Sequence, residues 1–224
     1  MKNKLTISDG ARLEGRVSLD GAKNSALKLL AASLLTSGNI LLRNYPAGLL
    51  DTQVHVEMLR VLGKTVLVGK DRSVEIVEAG SLGTELNYHD RSIRNTLLIL
   101  GTLLARHGHG KVPMPGGCKL GDRKHDIHLM LLERLGARVW EEGNFLCAEA
   151  PRGGLVGTDV HLPLRSTGAT ENAILCGTLA KGVTRAWNPH IRPEILDLVT
   201  MLRGMGAKIR VFGQEHIEIT GVEG

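Results

Sequence analysis

The chain has 224 residues, of which 42% are hydrophobic, 23% charged and 3% aromatic, and it carries a net charge of +5. This is the balance of a globular protein with ample core, and no apolar run reaches the roughly 20 residues that a membrane span needs. Positive charge favours anionic partners, but the scarcity of aromatics and the lack of a long Lys/Arg block exclude a stacking platform and a phosphate track, so phosphorylated small molecules fit better than nucleic acid.

In chain order, Met1-Lys2-Asn3-Lys4 is basic, but Leu5-Thr6-Ile7-Ser8-Asp9 follows instead of an apolar signal core, so no export signal is read. Residues 24–35 read as an apolar helix and residues 39–43 as a short strand. An amphipathic helix then ends in Met58-Leu59-Arg60-Val61-Leu62-Gly63, and an alternating strand follows from Lys64. The same order returns with a helix over 93–105, a strand over 110–114, and Leu131-Leu132-Glu133-Arg134-Leu135-Gly136 before another alternating strand. It returns once more with a helix over 168–180, a strand over 182–187, and Met201-Leu202-Arg203-Gly204-Met205-Gly206. Glycines 63, 136 and 206 stand 73 and 70 residues apart, each where a helix needs a C-terminal residue that tolerates left-handed backbone. The repeating unit is helix, strand, helix, strand, strand. Thr96-Leu97-Leu98-Ile99-Leu100-Gly101-Thr102-Leu103-Leu104 is apolar nearly all round, so this helix belongs inside, and three such units can close around buried helices.

Two basic clusters stand out. Gly21-Ala22-Lys23-Asn24 opens the first helix, and Pro115-Gly116-Gly117-Cys118-Lys119 puts a cysteine on a glycine-built loop with Arg123 close behind. Adjacent glycines let backbone N–H groups approach an anion, and flanking cations lower the pKa of a thiol. Cys147 and Cys176 sit in apolar company and read as buried and inert; three cysteines without metal-type spacing suit a reducing cytoplasm. His107-Gly108-His109 lacks a third ligand and reads as a solvent-exposed turn. His125 and His128, at a loop-to-helix junction, read as substrate contacts or plain surface ahead of metal ligands.

The triple repeat, Gly21-Ala22-Lys23-Asn24, Pro115-Gly116-Gly117-Cys118, Arg123 and Gly168-Ala169-Thr170 together resemble the UDP-N-acetylglucosamine enolpyruvyl transferase (1-carboxyvinyltransferase) family, over the N-terminal half of its usual length. The related shikimate-phosphate enzymes share the architecture but lack the cysteine loop, and serine typically follows their lysine where Asn24 stands here. The resemblance implies an inside-out α/β globule of three βαβαββ units over residues 21–224. It also implies that residues 1–20 cross to a second globule, so residues 5–7 and 12–18 read as strands whose usual sheet is absent, and an unpaired strand tends to find another chain.

The implied chemistry is enolpyruvyl transfer from phosphoenolpyruvate to a sugar-nucleotide hydroxyl in peptidoglycan precursor synthesis. No cofactor or metal is expected, and neither a membrane nor a nucleic-acid partner. In that resemblance Lys23, Arg123 and Arg94 hold phosphoenolpyruvate, and Cys118 is the general acid and the target of the epoxide fosfomycin. Asn24, Asp126, His128, Ser166, Thr167 and Gly168 meet the acceptor. The sequence departs from the family's pattern at Leu164-Arg165, where a lysine is frequent, at Lys124, where a proline is, and at Leu98, where an aromatic is. Two other readings therefore stand beside the first: transfer to another nucleotide, such as a nucleoside monophosphate, and an inactive substrate-binding half. The family's remaining catalytic groups lie in its second half, so a separately encoded C-terminal half or self-association is the expected partner.

Overall fold

The computed structural model describes residues 6, 9–10, 12, 14–91, 93–116 and 125–223. The first unit runs α1 (Lys23–Ala32), a 3₁₀ turn (Ser33–Leu35), β1 (Ile40–Leu42), α2 (Leu50–Val61), β2 (Lys64–Val68) and β3 (Val74–Glu78). The second runs α3 (Thr96–His107), β4 (His109–Pro113), α4 (Asp126–Arg134), β5 (Arg138–Glu142) and β6 (Phe145–Glu149). The third begins with an added strand, β7 (Asp159–His161), and continues α5 (Thr167–Leu179), β8 (Val183–Trp187), α6 (Pro193–Gly204), β9 (Lys208–Phe212) and β10 (His216–Thr220).

The expected repeat is therefore present three times, with helix ends displaced by up to three residues. The first helix tightens into the 3₁₀ turn, and the second starts later because Ile93 O accepts both the amide and the hydroxyl of Thr96. Gly63, Gly136 and Gly206 all take positive φ, at 104°, 94° and 104°, where α2, α4 and α6 give way to β2, β5 and β9. A side chain in that left-handed region would clash with its own backbone, which is why glycine recurs there.

Each unit folds its strands into its own sheet, in the orders β1-β3-β2, β4-β6-β5 and β7-β8-β10-β9. All pairings among these strands are antiparallel except β7 with β8. The sheets lie outside and the apolar helices within: every residue from Thr96 to Leu104 is buried, as is every residue from Ala169 to Thr178. The α3–α5 contact is close because Gly101 has no side chain; a Cβ there would come within 3.1 Å of Cys176 Sγ. The Cys176 thiol donates to Gly101 O at 3.4 Å, and Asn172 Nδ2 donates to Leu97 O at 3.1 Å. Cys147 and Cys176 are both buried, as read from their neighbours, and burial pushes the Cys176 thiol up to about 12.

Residues 6, 12 and 14–18, within the segments read as strands that join a second globule's sheet, have no sheet to join among the described residues, and residues 14–20 are exposed. A strand needs a neighbour for its backbone groups, and none lies beside them among the described residues. His107 is half-buried where an exposed turn was expected, with its Nε2 enclosed and without a partner among the described residues; His109 is exposed and meets Thr84 Oγ1 at 3.0 Å.

Candidate active site

The N-terminal ends of five helices open onto one cavity of about 240 Å³. α1 contributes Asn24 and Lys28, and the entry to α3 contributes Arg94, Asn95 and Leu98. His128 comes from the first turn of α4, Thr167, Gly168 and Glu171 from α5, and Arg192 and Glu194 from the start of α6. Helix N-termini carry partial positive charge and amides without helical partners, so their convergence suits an anion.

The sequence places charge in this wall where a bland core would have none. Lys28 and Glu171 interrupt apolar helices, and their side chains are only 8% and 6% exposed. Lys28 Nζ stands 2.9 Å from Glu171 Oε1 and donates to Asn24 O at 2.9 Å. Burial pushes the Glu171 carboxyl up to about 7; Lys28 pulls it back in part, and Glu194 adds to the rise. Arg192 Nε lies 3.4 Å from Glu194 Oε1.

His128 is buried, so the surface reading of this residue is overturned: it packs beneath the start of α5. Burial, the Arg94 guanidinium and His125 hold its pKa down at about 3, so the imidazole is neutral. Asn172 Nδ2 lies 3.0 Å from His128 Nδ1 and also reaches Leu97 O, which fixes the amide orientation. Nδ1 is then the acceptor, and the ring proton sits on Nε2, beside Gly168. A Cβ at position 168 would lie 2.7 Å from that nitrogen. Gly168→Ala is expected to displace the imidazole and to lower stability by about 1–3 kcal/mol, as overpacking does. Thermal unfolding of the variant checks this, and an unchanged melting temperature refutes it.

Ser166 N-caps α5, its hydroxyl accepting from Ala169 N at 3.3 Å. Thr167 Oγ1 meets His190 Nδ1 at 2.8 Å. Asn95 keeps a buried Nδ2 without a partner among the described residues, a donor that a ligand could take up.

Of the residues expected at the site, Asn24, Arg94, His128, Thr167 and Gly168 thus line one cavity, and Ser166 caps the helix beside it. Lys23 does not line it: its Nζ pairs with Asp51 Oδ2 at 3.0 Å. Asp126 is exposed in the first turn of α4 and stands off the cavity wall. Cys118 and Arg123 lie outside the described residues, in the segment that precedes α4. Lys28, Asn95, Glu171, Arg192 and Glu194 were not read from the sequence as site residues. The available signal was the pair of lone charges, Lys28 and Glu171, inside helices whose buried faces are otherwise uncharged. Leu98, in place of the family's aromatic, does line the cavity, whereas Leu164 is exposed and the neighbouring Arg165 Nε donates to Asn188 Oδ1 at 3.2 Å. No group of three or more potential metal ligands gathers among the described residues, and none of their helices is long and apolar enough to cross a membrane.

A family model described as EPSP synthase (3-phosphoshikimate 1-carboxyvinyltransferase) matches residues 7–224. The UDP-N-acetylglucosamine 1-carboxyvinyltransferase of Maricaulis maris (strain MCS10) is 43% identical over 220 residues, covering 98% of this chain and 52% of the relative. The protein of the same name from Caulobacter sp. (strain K31) is 42% identical over 224 residues, covering 98% of this chain and 51% of its own length. The chain therefore spans about half the length of the curated relatives it matches. Among solved structures, the enolpyruvyl transferase NikO from Streptomyces tendae superposes with a TM-score of 0.79 at 24% identity, covering 95% of this chain and 49% of that one. EPSP synthase from Acinetobacter baumannii gives 0.67 at 18% identity, covering 92% and 47%. These likenesses bear out the three-unit architecture, and with the match over residues 7–224 the chain belongs to the EPSP synthase (3-phosphoshikimate 1-carboxyvinyltransferase) family.

Proposed function

We propose that the chain forms one half of an enolpyruvyl transferase that uses phosphoenolpyruvate and UDP-N-acetylglucosamine, and that it works in the cytoplasm on a peptidoglycan precursor. The supporting observation is the convergence of Asn24, Arg94, His128, Thr167 and Gly168, drawn from all three units, on one cavity at helix N-termini. At about 240 Å³ that cavity falls below the ~300–1,000 Å³ usual for small-molecule sites, as expected of one wall of a larger cleft. Relatives more than 40% identical bear the name of the UDP-N-acetylglucosamine enzyme, and they are about twice as long.

In this reading Arg94, Lys23 and Arg123 share the phosphoenolpyruvate anion through charge-assisted hydrogen bonds. Lys23 must then exchange Asp51 for phosphate, a small loss because the pair is half-exposed. The acceptor lies along Asn24, the Ser166-Thr167-Gly168 helix start and His128, with Asp126 reached beyond the cavity. His128 acts as a neutral Nε2–H donor, since burial bars the imidazolium. Cys118 delivers a proton to the phosphoenolpyruvate methylene as the acceptor hydroxyl adds to the adjacent carbon and gives up its own proton to a base in the second half. Phosphate then leaves as a methyl proton returns to the Cys118 thiolate, which restores the double bond and the thiol.

Leu164 in place of a lysine favours a second reading, an acceptor nucleotide other than a UDP-sugar. Phosphate release from phosphoenolpyruvate separates the two, with the C-terminal half of a relative supplied and UDP-N-acetylglucosamine, uridine monophosphate or shikimate phosphate as acceptor. Release with UDP-N-acetylglucosamine alone is expected, falling about 10²–10⁴-fold in Cys118→Ala. Release with uridine monophosphate instead moves the assignment to the second reading, and release with none sinks both.

A further inference from the structure

Asn188-Pro189-His190-Ile191-Arg192 joins β8 to α6, and the fold pins this loop from three sides. Asn188 Nδ2 donates to Leu162 O at 3.0 Å, just past β7. Gln214, in the turn between β9 and β10, holds Ile191 by both ends of its amide. Its Oε1 accepts from Ile191 N at 3.1 Å, and its Nε2 donates to Ile191 O at 2.6 Å. His190 N donates to Thr170 Oγ1 at 3.0 Å, and that hydroxyl donates in turn to Ser166 O at 2.8 Å. Pro189 and Pro193 fix backbone angles on either side of these contacts, so the half-buried His190 is held against the first turn of α5.

There His190 Nδ1 lies 2.8 Å from the hydroxyl of Thr167, which lines the cavity. One proton lies between the two atoms, and the charge of the ring decides whose it is. When Nδ1 is bare, the Thr167 hydroxyl donates to it and shows the cavity only lone pairs. A charged ring carries a proton on both nitrogens, so Nδ1 donates and the hydroxyl accepts. The hydroxyl proton is then free to turn toward the cavity. Histidine is the side chain that ordinarily changes charge between pH 5 and 8. On the elements packed against this loop, Glu171 is engaged by Lys28, Glu194 lies beside Arg192, and Arg165 donates to Asn188. Glu215 sits in the β9–β10 turn, and His216 stacks between Trp187 and Phe212 on the sheet. No carboxylate pairs with His190 among the described residues, so the counter-charge for an imidazolium here is that of a bound anion.

The geometry points to His190 as a positioning residue of the acceptor site that acts through Thr167, so that an anionic ligand and a proton bind there together. On taking up a proton, the ring turns the Thr167 hydroxyl into a donor and brings its own charge to the start of α5. Both changes favour a ligand oxygen that carries negative charge and no hydrogen, as in a diphosphate diester. The inference rests on the reading that the acceptor nucleotide lies along Ser166-Thr167-Gly168. Coupling of this kind is reciprocal: the pH that charges the ring strengthens ligand binding, and ligand binding draws in a proton.

Calorimetric titration of the chain with UDP-N-acetylglucosamine tests this, because the diphosphate diester of that probe keeps its charge between pH 5.5 and pH 8. Binding is expected to be about tenfold tighter at pH 5.5 than at pH 8, within the ~5–150-fold usual for coupled sites. Net proton uptake is expected between those limits, read from buffers of different ionisation enthalpy. His190→Gln keeps a polar group beside Thr167 but cannot charge, so it is expected to bind alike at both pH values and to take up no proton. Thr167→Val, which removes the hydroxyl alone, is expected to shrink the ratio to about twofold. Equal binding by the parent chain at both pH values overturns the inference and leaves the acceptor reading in place. So does a tenfold ratio that persists in His190→Gln or in Thr167→Val. Absence of binding at either pH removes the acceptor reading, and this inference with it.

Discussion

Lys28→Met is expected to lower the unfolding free energy by about 3–5 kcal/mol, because it leaves a buried carboxylate without its counter-charge. Lys28 and Glu171 stand among the first two turns of α1 and α5, with little water to replace the lost partner. The pH dependence identifies the cause. Glu171 has its folded pKa raised from the ordinary 4.5 to about 7, so the folded state holds a proton that the unfolded state releases. Its contribution to stability is fully present below pH 4.5 and is lost as pH rises through about 7. Removing Lys28 raises that pKa further, so the damage should grow from pH 5 to pH 8. Replacing both residues, as Lys28→Met with Glu171→Leu, should recover most of the loss, since a buried pair is often no better than apolar residues of similar volume. Chemical denaturation of the parent, single and double variants at the two pH values decides it. A Lys28→Met cost that is small, or the same at both, would show that water reaches the pair.

The pair also shows what could and could not be read from the sequence. The three units were legible because their signals are local: apolar spacing, a glycine that ends each second helix, alternation in the strand that follows. The buried α3 was legible because its residues are apolar on every face. Asn24, Arg94, His128, Thr167 and Gly168 came from a family pattern, and the fold gathers them from four helix entries. Glu171 and Lys28 were not legible as partners, because they stand 143 positions apart and meet only where the first two turns of α1 and α5 converge on the cavity. Burial of His128 was hidden for the same reason: it depends on Asn172 and Gly168, one on each side of its ring.

Turnover by the 224-residue chain alone is expected to be undetectable, and a C-terminal half of a relative is expected to restore it. The chain spans about half the length of the curated relatives it matches, and in the proposed reading its cavity of about 240 Å³ is one wall of the site. Enzymes accelerate reactions by holding charge on the reacting atoms more tightly in the transition state than in the ground state. Loss of a single such donor costs ~10²–10³ in kcat, so a site lacking a whole wall falls below measurement. Binding should survive better than rate, because Arg94 and the helix N-termini remain. Steady-state phosphate release with and without the added half is the measurement. Robust release from the chain alone, abolished by Cys118→Ala, would show that these residues suffice without another globule.

The burial of the apolar helices has a consequence for how the chain folds. Each sheet is made of strands from one unit, so it can form soon after that unit leaves the ribosome. The helices cannot be covered so early. Asn172 meets Leu97, and Cys176 meets Gly101, across 75 residues of chain in each case. Until the third unit is synthesised, α3 has no α5 to pack against, and its leucines stand bare on a nascent chain. Closing so long a loop is slow compared with forming local strands. The hazard of this architecture therefore lies in synthesis, during the interval between the second unit and the third, when the most apolar helix waits for its neighbour and aggregation competes with closure.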